Sequence, residues 1–158
     1  MMAFSVERVL QAIEESYNLY YRLVLIVGPS GSGKTQVLRE VSAAMSVPII
    51  NVNLELSRRM LELTARQRAL RAQQLLHEIV ADFGKHLALL DNNEILFDIH
   101  LKLDPLRALQ DISRNKTIVA TWNGSLVENF ITYAEPEHRE YRRCPMGDFL
   151  VISAEAKA

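Results

Sequence analysis

The chain has few of the features that mark secreted, disulfide-bonded or membrane proteins. Cys144 is its only cysteine, which excludes an internal disulfide or a cysteine-based zinc site and fits a reducing compartment. No apolar run reaches the length that crosses a bilayer, the N-terminal residues lack a signal-peptide pattern, and the histidines lack metal-ligand spacing. We therefore expect a cytoplasmic protein that does not bind membranes.

The chain also lacks an excess of charge of either sign. With a formal net charge of −1, it has no global electrostatic signature for nucleic acid or membrane. One segment, in which Glu62 is the only acid, is locally basic through Arg58, Arg59, Arg66, Arg68 and Arg71. This arginine strip predicts a contact with DNA or an acidic partner, or else a solvated helix face. No aromatic residue interleaves it, so stacking on single-stranded bases is not supported.

The most specific pattern in the sequence is a phosphate-binding loop. Residues 28–35 read GPSGSGKT, a complete G-x-x-x-x-G-K-[ST] match. A β-branched apolar run at residues 22–27 precedes the loop, and apolar residues at helical spacing follow it at residues 36–45. A strand, a glycine loop and a helix in this order predict binding of a nucleoside triphosphate.

The residue types in this loop suit phosphate chemistry. Gly28, Gly31 and Gly33 allow positive φ, so that successive N–H groups line one concavity at a helix N-terminus. Lys34 is expected to reach the β and γ phosphates, and the Thr35 hydroxyl to ligate Mg²⁺. We expect ATP and Mg²⁺ as cofactors, with GTP left open. The predicted nucleotide-binding residues are Gly28, Pro29, Ser30, Gly31, Ser32, Gly33, Lys34, Thr35 and Gln36.

The remaining periodicities predict one α/β domain covering residues 1–158. Helices are expected at residues 6–19 after a Ser5 cap, at 56–83 as two helices meeting near 68–71, and at 105–113 after an Asp104 cap. Further strands are expected at residues 48–53, 85–91, 117–122 and 148–153, with a turn at Asn123-Gly124. The fold class is a P-loop NTPase of the AAA+/RecA-like branch, with a parallel sheet of about five strands flanked by helices and no helical lid domain.

Acidic residues after two strands are candidates for Mg²⁺ binding and hydrolysis. Asp91 ends an apolar strand in the manner of a Walker B motif and is expected to hold Mg²⁺ next to Thr35. The next position, where this class usually has a catalytic Glu, is Asn92, which cannot take a proton from water. Glu94 is the first substitute as catalytic base and Glu55 the second, and slow or absent hydrolysis stays open.

Two further patterns suggest groups near the γ-phosphate. Asn123, just past the strand at residues 117–122, is either a γ-phosphate sensor or the first residue of a turn. The segment before the last strand carries Arg139, Arg142 and Arg143. Each is either an arginine finger for a neighbouring subunit or part of a solvated charged loop.

Several segments together resemble the BrxF family, the small P-loop NTPases of BREX bacterial phage-defence systems. They are GPSGSGKT, NVNLELSRRMLELTARQR, LLDNNEILFD, LKLDPLRALQDISRNKTIVATWNG and EHREYRRC. The resemblance implies a cytoplasmic ATP-binding component of a complex that methylates host DNA and restricts phage DNA. It also implies nucleotide and Mg²⁺ roles for Lys34, Thr35, Asp91 and Asn123, while Asn92 weakens any transfer of fast ATPase activity.

Three functions follow from these patterns. The first is an ATPase that works slowly or only on assembly, as a homo-oligomer or with other BREX proteins. The second is a non-hydrolysing interaction module whose ATP state orders a partner surface. The third is a nucleotide kinase, weakened by the lack of an arginine-rich lid between the helix after Asp91 and the last strand.

Overall fold

Strands and helices alternate along most of the chain in the computed structural model, which describes residues 2–83, 86–133, 142–145, 147–153 and 155–156. The strands are β1 (Met2–Ala3), β2 (Leu23–Gly28), β3 (Ile49–Asn51), β4 (Leu87–Asp91), β5 (Thr117–Val127), β6 (Phe130–Tyr133), β7 (Arg142–Pro145), β8 (Leu150–Ser153) and β9 (Glu155–Ala156). The helices are α1 (Val6–Ser16), α2 (Lys34–Met45), α3 (Val52–Arg59), α4 (Ala65–Phe83) and α5 (Pro105–Ile112).

Five of these strands form the parallel sheet that the sequence predicts. Their order is β3-β4-β5-β2-β8, and each neighbouring pair is parallel. The strand that carries the glycine loop, β2, is therefore flanked by β5 and β8, and β5 separates it from β4. The parallel strands run to the same edge of the sheet, so the ends of β2 and β4 lie there beside the β5 residues paired with them.

Helices cover both faces of the sheet, and β2 shows why. All six of its residues are buried. Leu23, Leu25 and Val27 pack in the cluster that includes the buried residues of α3, α4 and α5. Val24 and Ile26 pack in a second cluster with those of α1 and α2. Because neighbouring residues of a strand point to opposite faces, an uninterrupted apolar run suits a strand covered on both sides.

Helix caps behave as the sequence predicts. The Ser5 Oγ accepts a hydrogen bond from Arg8 N at 3.4 Å, and α1 begins at the next residue. An Asp104 oxygen accepts one from Arg107 N at 3.2 Å at the start of α5. These contacts satisfy N–H groups that the helix itself leaves without a partner.

The region after β3 differs from the prediction in two ways. The predicted strand at residues 48–53 ends at Asn51, whose side chain accepts from Leu54 N at 3.0 Å and starts α3 at Val52. The helix break also lies at residues 60–64 and not near residues 68–71. Thr64 explains the second start, because its Oγ1 accepts from Gln67 N at 3.2 Å. Capping side chains override apolar periodicity here.

The predicted turn at Asn123-Gly124 is wrong. Both residues lie inside β5, which continues to Val127 and pairs antiparallel with β6, and β6 pairs antiparallel with β7. The reversal occurs at Glu128, where φ is 55°. Gly124 is needed for close approach instead, because a Cβ there would lie 2.8 Å from the Thr132 carbonyl carbon. Arg142 and Arg143, for which an arginine finger and a solvated charged loop were both left open, lie on strand β7 and not on a loop.

Two further observations complete the fold. Strand β1 pairs antiparallel with β9, which the sequence analysis did not predict. Among the described residues, no helix combines the length and apolar character needed to cross a membrane. The same residues form no separate helical domain beyond α1 to α5.

Candidate phosphate-binding site

The glycine loop connects the end of β2 directly to the start of α2. Gly31 and Gly33 adopt positive φ of 78° and 100°, and a Cβ at either position would have open space. Both glycines are therefore needed for backbone conformation. Gly28 does not have the positive φ that the sequence analysis expects. A Cβ at Gly28 would lie 2.6 Å from Ser32 Oγ, so close packing explains this glycine.

The Lys34 side chain lies against the loop and donates hydrogen bonds to two of its carbonyl groups. Its Nζ donates to Gly28 O at 2.9 Å and to Pro29 O at 2.6 Å, and the residue is only 6% exposed. Burial lowers the pKa of the Lys34 ammonium, an effect that the carboxylates of Glu94 and Asp91 partly oppose. A buried cation beside the first N–H groups of α2, which a helix leaves without partners of its own, suits a polyanionic ligand.

Thr35 and Asp91 meet although they are distant in sequence. Thr35 Oγ1 donates to Asp91 Oδ2 at 2.9 Å, across 56 residues. Asp91 ends β4 and is 7% exposed. A hydroxyl and a carboxylate oxygen are hard ligands that suit Mg²⁺, which completes its shell with phosphate oxygens and water. The donor set therefore fits the ion that the sequence predicts.

Two buried residues beside Asp91 were missed in the sequence analysis. Thr121 of β5 donates from Oγ1 to Asp91 Oδ1 at 2.8 Å. Asn93 donates from Nδ2 to Thr121 O at 2.9 Å and to Leu90 O at 3.1 Å. The available signals were an Asn two positions after Asp91, which ends β4, and a Thr inside an apolar strand. Neither shows which strands are neighbours.

Asn92 has a structural reason to be Asn. Its backbone is left-handed, with φ 55° and ψ 52°, a conformation that Asn tolerates better than Glu. Its carbonyl accepts from Asn53 N at 3.1 Å, which ties the start of α3 to this turn. A short 3-10 segment, Asn93–Phe97, follows and carries Glu94.

Glu94 and Asn123, two separate predictions from the sequence, contact each other. Asn123 Nδ2 donates a short hydrogen bond to Glu94 Oε1. Asn123 also pairs in register with Gly28, the first residue of the glycine loop, because β5 lies beside β2. Burial lowers the pKa of Lys34, and the Glu94 carboxylate lies close enough to oppose this shift in part. The structure thus places Glu94, Asn123 and Lys34 at one edge of the sheet.

The carboxylate of Glu55 is paired with two arginines. Its carboxylate accepts from Arg59 Nη1 at 2.7 Å and lies 3.6 Å from Arg58 Nη1. Arg59 also pairs with Asp82 of α4 at 2.9 Å. The Arg59–Asp82 pair joins α3 to α4, and Glu55 holds Arg59 from within α3. The role of Glu55 as second candidate base stays a prediction.

The arginine strip does not form one uniform surface. Arg59 is paired as described, and Arg68 donates from Nε to Leu63 O at 3.0 Å. Arg58, Arg66 and Arg71 are exposed. Of the predicted arginine fingers, Arg139 lies outside the described residues. Arg142 and Arg143 lie on β7, opposite Tyr133 and Thr132 in register.

The glycine loop between β2 and α2, the Thr35–Asp91 contact and the strand order decide the fold class. The fold is that of a P-loop NTPase: a parallel sheet of five strands flanked by helices, with the phosphate-binding loop between β2 and α2. This confirms the fold expected from the sequence. No protein-family model and no curated protein matches the chain.

Several solved structures share part of this fold at low identity. "Structure of C. elegans PCH-2" is 18% identical with a TM-score of 0.45, covering 78% of this chain and 38% of that one. AMPPCP-bound DnaA from Aquifex aeolicus is 16% identical with a TM-score of 0.46, covering 94% and 44%. Replication initiator DnaA bound to AMPPCP and single-stranded DNA is 14% identical with a TM-score of 0.44, covering 98% and 50%. The chain thus spans half or less of these proteins.

Proposed function

We propose that the chain binds ATP together with Mg²⁺ at the β2–α2 loop. The observation that carries this proposal is the 2.9 Å hydrogen bond between Thr35 Oγ1 and Asp91 Oδ2. It brings the hydroxyl at the end of the phosphate loop to the acidic end of β4. Two unrelated sequence patterns therefore meet where a metal-bound triphosphate needs both.

Each loop residue has a distinct task in this proposal. The N–H groups of residues 30, 31 and 33–35 face the phosphates, and the positive φ of Gly31 and Gly33 turns the backbone so that these groups point one way. Lys34 exchanges its carbonyl partners for β and γ phosphate oxygens. Thr35 and Asp91 hold Mg²⁺, which when bound supplies positive charge to the phosphate oxygens.

The test of binding is the removal of the Lys34 ammonium. Lys34→Ala is expected to weaken ATP binding by about 3 kcal/mol, roughly a hundredfold in Kd, because charge-assisted hydrogen bonds to phosphate are lost. The matched control is Lys116→Ala, which removes another lysine that donates to a carbonyl, Val80 O at 2.9 Å. Calorimetric titration that shows equal ATP affinity for both variants and the parent would refute the proposal.

Hydrolysis is proposed to be slow, with Glu94 as the base. Asn92 cannot accept a proton from the attacking water, so the carboxylate must come from elsewhere. Glu94 shares the sheet edge with Lys34 and Asn123, whereas Glu55 is bound by Arg59 at 2.7 Å. We infer that the Asn123 amide orients Glu94 and senses the γ-phosphate.

A non-hydrolysing interaction module is the second candidate function. Its support is the same Asn123–Glu94 hydrogen bond, because a carboxylate engaged by an amide is less available as a base. A nucleotide kinase is the third. Purified protein with Mg²⁺-ATP distinguishes them: phosphate release indicates an ATPase, no turnover a module, and phosphate transfer to added nucleotide a kinase.

On the resemblance to the BrxF family, we propose that this activity serves a BREX complex in the cytoplasm. The structural neighbours do not bear on that assignment. The direct test is phage plating on cells whose BREX system carries the Lys34→Ala chain in place of the parent. Protection equal to that of the parent would contradict a nucleotide-dependent role in defence.

We propose partners from the charge and position of arginines outside the phosphate loop. The exposed guanidinium groups of Arg66 and Arg71, and of Arg58, which also pairs with Glu55 at 3.6 Å, are the ones that we propose contact phosphates of DNA or an acidic partner. Binding to DNA would weaken steeply with salt, and an Arg66→Gln, Arg71→Gln double variant would lower the salt slope. Arg142 and Arg143 on β7 are the proposed arginines for a neighbouring subunit in a homo-oligomer.

A further inference from the structure

The carboxylate of Asp91 is held from two sides by threonine hydroxyls. Thr35 of α2 donates to Oδ2 at 2.9 Å, and Thr121 of β5 donates to Oδ1 at 2.8 Å. Asp91 and Thr121 are 7% and 4% exposed. Only one of these hydroxyls belongs to the phosphate loop. The other is buried in the sheet, on the far side of the carboxylate.

The direction of its hydrogen bond defines the role of the Thr121 hydroxyl. A hydroxyl has one proton, and Thr121 uses it on Asp91 Oδ1, so its oxygen is left to accept. Asn93 Nδ2 lies 3.3 Å from that oxygen. The hydrogen bonds therefore run from the Thr121 hydroxyl to the Asp91 carboxylate, and the Asn93 amide, whose two protons also serve Leu90 O and Thr121 O, makes a shared and weaker contact with that hydroxyl.

The side-chain amide of Asn93 has one orientation that its neighbours allow. Its Nδ2 faces the carbonyl oxygens of Leu90 at 3.1 Å and Thr121 at 2.9 Å, which only accept hydrogen bonds. The amide nitrogen must point at them, and the residue is 3% exposed. Asn93 thus fastens the end of β4 to β5 at the position of Thr121.

We propose that Thr121 is a positioning residue that orients Asp91 for Mg²⁺, with Asn93 holding Thr121. The inference rests on the Mg²⁺-ATP function proposed above. Mg²⁺ requires near-ideal octahedral ligation, so its affinity is sensitive to the angle of a ligating carboxylate. With Oδ1 engaged by Thr121, Oδ2 is directed to the Thr35 hydroxyl, where the ion is expected.

The test compares Mg²⁺ dependence between variants of nearly equal shape. Thr121→Val removes the hydroxyl and keeps the branched side chain. The Mg²⁺ concentration that half-maximally strengthens binding of a non-hydrolysable ATP analogue should rise about 10- to 100-fold. Binding in excess chelator should be unchanged, because the loop and Lys34 are untouched. Thr121→Ser should retain the parental Mg²⁺ dependence.

The same strand offers a matched control. Thr117 is fully buried in β5, and its Oγ1 has no hydrogen-bond partner within the described residues. Thr117→Val makes the identical change without touching Asp91, and should leave the Mg²⁺ dependence unaltered. Thermal unfolding reports whether each variant is folded. Thr121→Cys is a second test variant, because its S–H is only a weak donor. The Mg²⁺ concentration for half-maximal effect should rise in it as it does in Thr121→Val.

The outcomes separate the two proposals. If the parent requires Mg²⁺ for tight binding and Thr121→Val binds with the parental Mg²⁺ dependence, the positioning role is wrong and the nucleotide site stands. Equal shifts in Thr121→Val and Thr117→Val would also overturn it, because they would indicate general packing. A parent that does not bind the analogue with or without Mg²⁺ overturns the proposed function and the positioning role together.

Discussion

Replacing Gly124 by Ala should strongly destabilise the extension formed by β5 and β6. A Cβ at this position would lie 2.8 Å from the Thr132 carbonyl carbon and closer still to its oxygen. That oxygen also accepts from Trp122 Nε1 at 3.0 Å, and Trp122 is 1% exposed. Because the obstacle is backbone and not a flexible side chain, β6 has to move away.

The magnitude follows from what the movement breaks. Loss of the Trp122–Thr132 hydrogen bond leaves the buried indole N–H without this partner, which costs about 1–3 kcal/mol. Because β6 also has to move, we expect a loss near the upper end, about 3 kcal/mol, in the free energy of unfolding. Urea unfolding followed by Trp122 fluorescence measures it, since this is the only tryptophan of the chain.

Gly31 supplies the comparison. It has a positive φ of 78° and open space around the position of a Cβ. Gly31→Asn should therefore cost no more than about 1 kcal/mol, because Asn tolerates the left-handed region. If Gly124→Ala is as mild as Gly31→Asn, the close approach of β5 and β6 does not constrain this glycine and the reasoning fails.

Three further predictions concern the proposed chemistry. Glu94→Gln should keep Mg²⁺-ATP binding and lower turnover about a hundredfold or more, with Glu55→Gln as the control; normal turnover in the first and loss in the second would move the base to Glu55. Because burial lowers the pKa of Lys34, ATP affinity should fall as pH rises through a range below that of an ordinary lysine, and Lys34→Arg should abolish this fall. An affinity that stays constant up to the ordinary lysine range would contradict that. Turnover per protomer should rise with protein concentration, and Arg142→Ala or Arg143→Ala should lose turnover but not ATP affinity and recover in part when mixed with Lys34→Ala protein. A concentration-independent specific activity and a monomeric mass with an ATP analogue would exclude self-assembly.

Local signals carried most of the fold prediction. The loop pattern, the apolar run before it and the caps Ser5 and Asp104 each act within a few residues of chain, and the structure has each element close to where it was expected. The errors arose where a polar side chain ends or starts an element, as at Asn51 and Thr64. Apolar periodicity reports burial, whereas caps set the boundaries.

Strand pairing limited the prediction of the candidate site. Thr35, Asp91, Glu94 and Asn123 stood out because each has a recognisable type after a strand or loop. Thr121 did not stand out, because a Thr in an apolar strand is ordinary until β4 is known to lie beside β5. The Asn-Gly pair at Asn123 was misleading for the same reason. It is a turn signal in isolation, but an antiparallel partner strand extends β5 through it.

The burial of β2 has a consequence for the motions of the loop that follows it. Every residue of β2 is buried, and the strand has a neighbour on each side and helices over each face. Its amide protons should exchange with solvent only through near-global unfolding, up to the residue where the loop begins. The loop is therefore tethered at its first residue to the slowest-opening part of the sheet. A phosphate ligand at the proposed site would therefore contact a loop whose first residue is already ordered when the chain folds.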